Sequence, residues 1–530
     1  MSMSQYKWTL SLLILLAAAG GCSETNPAYT DPDTDPDAQA CRVNDECGDP
    51  DRPVCLDGTC VGCASDDDCP ADSPVCEAET LTCTGECRDS GDCAADEPVC
   101  DDEMATCRGC EADAECDSLL CNEDIGTCVN ELEVVYVAVD GDDGGTCTVD
   151  APCKTLARAV DVATHSRSTI HVSAGTYAEA VVIAKSVSVF GAEASLVPAS
   201  DDAAIMHVTS GADVLLEGLE LRGAAARSVG VVECSALSSL TLRGVRVADN
   251  GWSGVVADGC QLDIAHSEIT GNDQSAISTH DSTVIVRDTR LDDNGNSGAR
   301  LGAGTVAELV RVDVTGNDLR GIYATGADVT VRQSNLVNNA YHGVYANESS
   351  KVRIERSVIV GNGGSGLTAG STEVMLFNNF FVDNGGDSAT DHGGAIRLSD
   401  TVALTSRVEH NTIVGNDSTL PEYPAGGIAC GGALTITLRN NIVHGNTGDE
   451  VSGSCSHEYS LLSSVTESMS GAHNIIAQDA GFRGGGDYHI SSESPAVSKA
   501  SQMEDVTEDF DAERRSDGLP DIGADELAAQ

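Results

Sequence analysis

Through the second half of the chain, valines, isoleucines and leucines alternate with polar residues in runs of three to five, as in Val352, Ile354 and then Ile359. A period of two carried by β-branched side chains predicts short strands, and the Gly and Asn that break each run leave no room for a helix. The runs return in register. One apolar column holds Leu242, Ile264, Val286, Leu309, Val331, Ile354, Leu376, Val408 and Leu438. A second, five residues on, holds Val247, Ile269, Leu291, Val314, Leu336, Ile359, Phe381, Ile413 and Val443. Three residues further stands an asparagine every time: Asn250, Asn272, Asn294, Asn317, Asn339, Asn362, Asn384, Asn416 and Asn446. The first seven lie 22 or 23 residues apart, and the last two steps are 32 and 30.

A fixed period of this size marks a solenoid in which each repeat buries its inner face against its neighbours. Each repeat becomes one coil of short strands, stacked as parallel sheets about 4.8 Å apart. The asparagines are expected to take the left-handed backbone conformation of a tight turn and to bond the same amide one coil away. Asn379, Asn411 and Asn441, five residues before their ladder asparagines, predict a second, shorter ladder.

At this point the chain resembles the right-handed parallel β-helix, or pectate-lyase-like, superfamily. Tyr136-Val137-Ala138-Val139-Asp140-Gly141, Ala151-Pro152-Cys153-Lys154-Thr155-Leu156 and Ser173-Ala174-Gly175-Thr176-Tyr177 resemble the entry segment of bacterial members. Ser494-Pro495-Ala496-Val497 and Pro520-Asp521-Ile522-Gly523-Ala524-Asp525-Glu526 are similar to the closing segment of surface-anchored ones. The resemblance spans about residues 133–526 and implies right-handedness, an N-terminal cap over about 133–200, and about 10–12 coils of ~22 residues. The expected fold is all-β: a solenoid over 130–500, closed by 501–530. The group mixes lyases, hydrolases, epimerases and proteins without a known reaction, so it implies a fold more than an activity.

The cysteines test the register independently. Ala224 takes a ladder position; Cys234 follows it by ten residues, as Cys260 follows Asn250. The two thiols fall in one column of adjacent coils, at a spacing that suits a disulfide. Cys430 is expected to pair with Cys455, and Cys147 with Cys153 across the entry loop.

Residues 1–22 have the form of an export signal: Lys7, an apolar run from Leu10 to Ala19, and small residues before Cys22. The run is too short to span a bilayer permanently. Ala19-Gly20-Gly21-Cys22 resembles a bacterial lipoprotein cleavage box, which makes Cys22 the expected lipidated residue and outer-membrane or cell-surface anchoring the expected localisation, with plain secretion as the alternative. Residues 23–40 form an acidic Pro/Asp tether that cannot build a core. Residues 41–129 carry sixteen cysteines in four modules opening at Cys41, Cys63, Cys87 and Cys110, each with Cys-x5-Cys and two more cysteines. Units this small need covalent staples, and four cysteines leave three connectivities open. Cys60-x2-Cys63 and Cys107-x2-Cys110 have zinc-like spacing, but they bridge modules, and an export signal favours disulfides.

Net charge is −56, and residues 31–130 hold 29 acidic side chains against four arginines, a net of −25. Such a surface repels nucleic acid and anionic headgroups, so nucleic acid is excluded as a partner and membrane contact is expected only through the lipid. No cofactor is expected. Calcium at Asp140-Gly141-Asp142-Asp143 is the one metal considered, without a full calcium motif.

Stacking turns sequence into columns, and two of these carry unusual chemistry. Six residues after the ladder asparagine stand Val256, Ser278, Arg300, Tyr323, Tyr345 and Thr368; three after, Ser253, Ser275, Ser297, Arg320, His342 and Ser365. Arg300, Tyr323, Tyr341 and Tyr345 are the candidate ligand contacts, and Arg320, His342 and Tyr323 the candidate catalytic groups, with Arg320 neutralising a uronate carboxylate while His342 or a tyrosine takes the adjacent proton. Asp391-His392-Gly393 is a second candidate. No paired carboxylates with glycosidase spacing stand out. The sequence therefore favours a non-enzymatic surface protein that binds extracellular polysaccharide or another surface protein, or serves the envelope structurally. The alternative is a polysaccharide lyase or epimerase acting on uronate polymers.

Overall fold

The computed structural model describes residues 43–527 apart from short stretches, the longest being 387–392, 419–424 and 465–470. The export signal, Cys22, the tether, and Asp391 with His392 lie outside the described residues. The chain forms two compact units. One runs through Cys110 and includes Ile125–Thr127; the other comprises Glu111–Asp124 and everything from Cys128 on.

In the first unit each module is a one-turn helix followed by a two-stranded hairpin, as in Ser90–Asp92, Val99–Asp101 and Thr106–Arg108. Cys63 pairs with Cys76 and Cys69 with Cys83, then Cys87 with Cys100 and Cys93 with Cys107. The connectivity is therefore first to third and second to fourth. Each bridge closes a loop of 13 or 14 residues, for which chain entropy predicts about 3 kcal/mol.

The second unit is a parallel solenoid with three sheets, of 14, 14 and 12 strands. One coil shows the scheme: Val306–Val310 in the first sheet, Asp313–Thr315 in the second and Ile322–Thr325 in the third, before Asp328–Arg332 begins the next. The predicted columns pair in register, Leu309 with Val331 and Val314 with Leu336. Their side chains run as one buried core from Val135 to Leu462. At the entry, Thr155 caps the helix Leu156–Val162, and Glu179 accepts from the backbone N–H of Leu156 and Ala157. Both Asp143 oxygens are engaged nearby, by the N–H groups of Lys154 and Thr155 and by the Thr155 hydroxyl. Cys147 joins Cys153, Cys234 joins Cys260 and Cys430 joins Cys455.

The asparagine ladder is continuous. Each side-chain N–H donates to the next asparagine's oxygen at 2.8–3.1 Å, from Asn250 to Asn446. It starts where the Ala224 N–H donates to Asn250 and ends where Asn446 donates to the buried Glu450. One expectation is overturned. The left-handed residue is the one before each asparagine, and these alternate over the first eight, Asp249, Gly271, Asp293, Gly316, Asn338, Gly361, Asp383 and Gly415, before Gly445 ends the alternation. A Cβ on Gly271 would meet Asp249 Oδ1 at 2.7 Å, so each acidic or amide side chain occupies the space above a glycine. The ladder asparagine itself stays outside the left-handed region because its amide must point inward, toward the neighbouring coils. The second ladder, Asn379–Asn411–Asn441, extends a column begun by the hydroxyls of Ser334 and Ser357.

His457 takes an interior position beside Leu438 near the last coil, and neither ring nitrogen has a hydrogen-bond partner among the described residues. Burial pulls its pKa down to about 4. The unfolded chain, with a histidine pKa near 6.5, then binds the extra proton between about pH 6.5 and 4, so stability is full above that window and falls as pH drops through it. In denaturant titrations across this range, His457→Leu is expected to flatten the slope, with the difference from wild type growing to the order of 3 kcal/mol near pH 4. Parallel curves for the two proteins would contradict this.

Candidate functional site

Strand alternation decides which side chains leave the core. In the third sheet Ala299, Ile322 and Val344 point inward, and Arg300, Tyr323 and Tyr345 outward in one register. The outward column continues through Thr368 and Arg397. Arg320 stands at the corner leading into this sheet. Its guanidinium carbon lies 4.8 Å from the Tyr323 ring centre and 4.9 Å from that of Tyr345, and that of Arg300 lies 6.0 Å from Tyr323. The two tyrosine rings meet edge to face at 5.6 Å. Arg300, Arg320, Tyr323 and Tyr345 therefore form one continuous surface cluster over three coils.

The column three residues after the ladder differs from expectation. Ser253, Ser275, Ser297, His342 and Ser365 are buried, and only Arg320 is partly open. The reason is that this position falls at a corner which the next coil covers. His342 is 1% exposed, stacks on Tyr345 at 5.5 Å, and accepts the Ser365 N–H at Nδ1. That bond leaves the ring proton on Nε2 in the neutral form, so the imidazole supports Tyr345 and presents no open base to the surface. Among the described residues Tyr341 makes none of the ring contacts of the cluster.

What sets the cluster apart is its charge. Elsewhere on the coils arginines hold carboxylates: Arg287 with Asp263, Arg311 with Asp288, Arg332 with Glu308 and Glu355. Among the described residues no carboxylate pairs with Arg300 or Arg320, in a chain of net charge −56. Stacked on tyrosine, a guanidinium keeps its planar fork of donors free for a planar anion. The arrangement supplies cations and phenols but no acid–base carboxylate pair.

Sequence columns also hold a second arrangement that composition did not flag. Phe377 lies between Arg353 and Arg407, 4.9 Å from each guanidinium carbon, in a cleft of about 300 Å³ bordered by Asp505–Glu508. Here Arg353 pairs with Glu355 and Arg407 with Glu409 and Asp505, so the cleft's charges are internally neutralised. The column Arg353, Met375, Arg407 was visible in the repeat, but the irregular residues that cover it come from the distant closing segment.

Residues 202–335 and 301–464 match the right handed beta helix region family, and this stretch of the chain is a right-handed parallel β-helix. Among solved structures, pectate lyase Pel9A is similar over 74% of this chain and 96% of its own, at 14% identity and a TM-score of 0.38. XylC in complex with xylose is similar over 75% and 99%, at 9% identity and 0.47. The A-module of the Azotobacter vinelandii mannuronan C-5 epimerase AlgE4 is similar over 61% and 91%, at 16% identity and 0.36. These likenesses concern the fold. No curated protein matches the chain in sequence.

Proposed function

We propose that the solenoid is a non-enzymatic binder displayed at the cell surface, exported and lipid-anchored through Cys22, and that its ligand is an extended uronate-containing polysaccharide. One observation carries this: among the described residues Arg300 and Arg320 stand without carboxylate partners, on a face that also offers the Tyr323 and Tyr345 rings. A polyanion is repelled by the protein as a whole, so binding needs a local cationic patch, and this cluster supplies one. Parallel coils present outward groups at about 4.8 Å intervals, a repeat suited to an extended polymer.

The test is binding of purified protein to polygalacturonate and alginate, with a neutral glucan as control, while absorbance of unsaturated chain ends is followed. Wild type is expected to bind the uronates, more weakly as salt rises. Losing a charge-assisted contact in Arg320→Ala costs about 1.5–3 kcal/mol, or roughly ten- to a hundredfold in affinity. Turnover that vanishes in Arg320→Ala would overturn the non-enzymatic reading in favour of a lyase. Equal binding of the neutral glucan would overturn the uronate ligand.

A further inference from the structure

The closing motif singled out in the sequence includes Asp525, and this residue meets two groups from other segments. Asp487–Ile490 is the second strand of a hairpin and carries His489; Asp511 lies in the loop after Phe510. One ligand atom each from His489, Asp511 and Asp525 lies within 4.8 Å of the other two.

The imidazole is held in one orientation. Its Nδ1 lies 2.5 Å from Asp487 Oδ1, and Phe380 and Phe510 flank the ring at 5.2 and 6.0 Å. Nε2 therefore faces Asp511 Oδ2 at 3.1 Å, and this atom is buried with no hydrogen-bond partner among the described residues. The Asp525 side chain is 3% exposed. It accepts the Ile490 N–H at 2.7 Å, and Arg483 stands 4.0 Å away, too far to hydrogen-bond.

We propose that His489, Asp511 and Asp525 bind a divalent transition-metal ion, with zinc the best chemical match, and that Asp487 orients His489 for it. A carboxylate holding the Nδ1 proton leaves the Nε2 lone pair free, the usual arrangement behind a metal-bound imidazole. An imidazole ligand argues against calcium and magnesium, which take oxygen, and the absence of thiolates from the set argues against copper(I). With bonds of about 2.0 Å, neighbouring ligand atoms on a tetrahedral ion lie about 3.3 Å apart. The His489–Asp511 pair already has this spacing, at 3.1 Å, and the widest pair must close by at most about 1.5 Å. The ion would tie the closing segment to the hairpin of residues 482–490, a staple between parts distant in sequence.

Without an ion, the same groups would instead leave only the His489 contacts with Asp487 and Asp511. Full-length oxidised chain stripped with EDTA separates the two states. Titration with zinc chloride is expected to show one ion per chain and a raised Tm, and cobalt chloride to give visible ligand-field bands. His489→Gln and Asp511→Asn should abolish both signals with an unchanged circular dichroism spectrum, and Asp487→Asn should weaken zinc about 10–100-fold. The Asp511 side chain is half exposed, so its variant carries the test even where His489→Gln fails to fold. Absence of any zinc response, or weak multi-site binding unchanged in Asp511→Asn, would overturn the proposal.

Discussion

Asn339→Ala is expected to open the middle of the solenoid, at a cost of roughly 4 kcal/mol or more. The side chain is fully buried and makes four bonds. Nδ2 donates to Val314 O at 3.0 Å and to Asn362 Oδ1 at 2.9 Å, and Oδ1 accepts from Asn317 Nδ2 at 2.8 Å and Asn317 N at 3.2 Å. Truncation strands those partners in a dry core, where each unsatisfied group costs about 1–3 kcal/mol. Asn335→Ala is the matched control, since its amide bonds Asp313 at the exposed surface and its loss should stay within about 0.5 kcal/mol. Because coils interact only with their neighbours, the damage should be local. Amide hydrogen exchange should show lost protection over residues of about two coils on either side, with distant coils unchanged. Equal protection in the two variants would show that the ladder contributes little.

Arg515→Ala is expected to release the closing segment. The guanidinium is 1% exposed. It donates to Glu526 at 2.9 Å, to the carbonyls of Asp521, Gly523 and Ala524, and to Asn378 Oδ1 at 3.1 Å, a residue 137 positions earlier. Removing one partner of a buried pair leaves the other charge uncompensated, at about 3–5 kcal/mol. Lysine cannot restore a five-donor fork, so Arg515→Lys should be nearly as damaging. Limited proteolysis read by mass spectrometry should show new cuts beyond residue 500 in both variants, while the coils before it stay intact. A wild-type digestion pattern would refute this role for Arg515.

The candidate site was legible in part, for a reason visible in particular residues. Arg300, Tyr323 and Tyr345 were found because strand alternation and a constant period place them in one outward column, and the structure pairs them so. His342 is buried rather than outward because a corner residue follows no period of two, and whether the next coil covers it depends on local backbone path. The surroundings of Arg515 and His489, and the segment that covers the Phe377 column, were not legible. Asn378 stands 137 residues from Arg515 and Asp505 98 residues from Arg407, and no repeat connects them.

The sequence by itself determined the solenoid, its register and the asparagine ladder, because a repeat whose inner face is apolar has one way to be buried: against a copy of itself. It also placed Cys234 and Cys260 near enough on adjacent coils to be joined, as they are, but not in one column: extra residues between Ala224 and Val232 set Cys234 opposite Ala257, with Cys260 at the turn that follows. Tertiary structure alone decided the order of the cysteine pairs in the modules, the burial of His342 and the folding back of the closing segment. These depend on contacts between non-equivalent segments, where no periodicity constrains the partner and the outcome follows from which buried groups find hydrogen bonds.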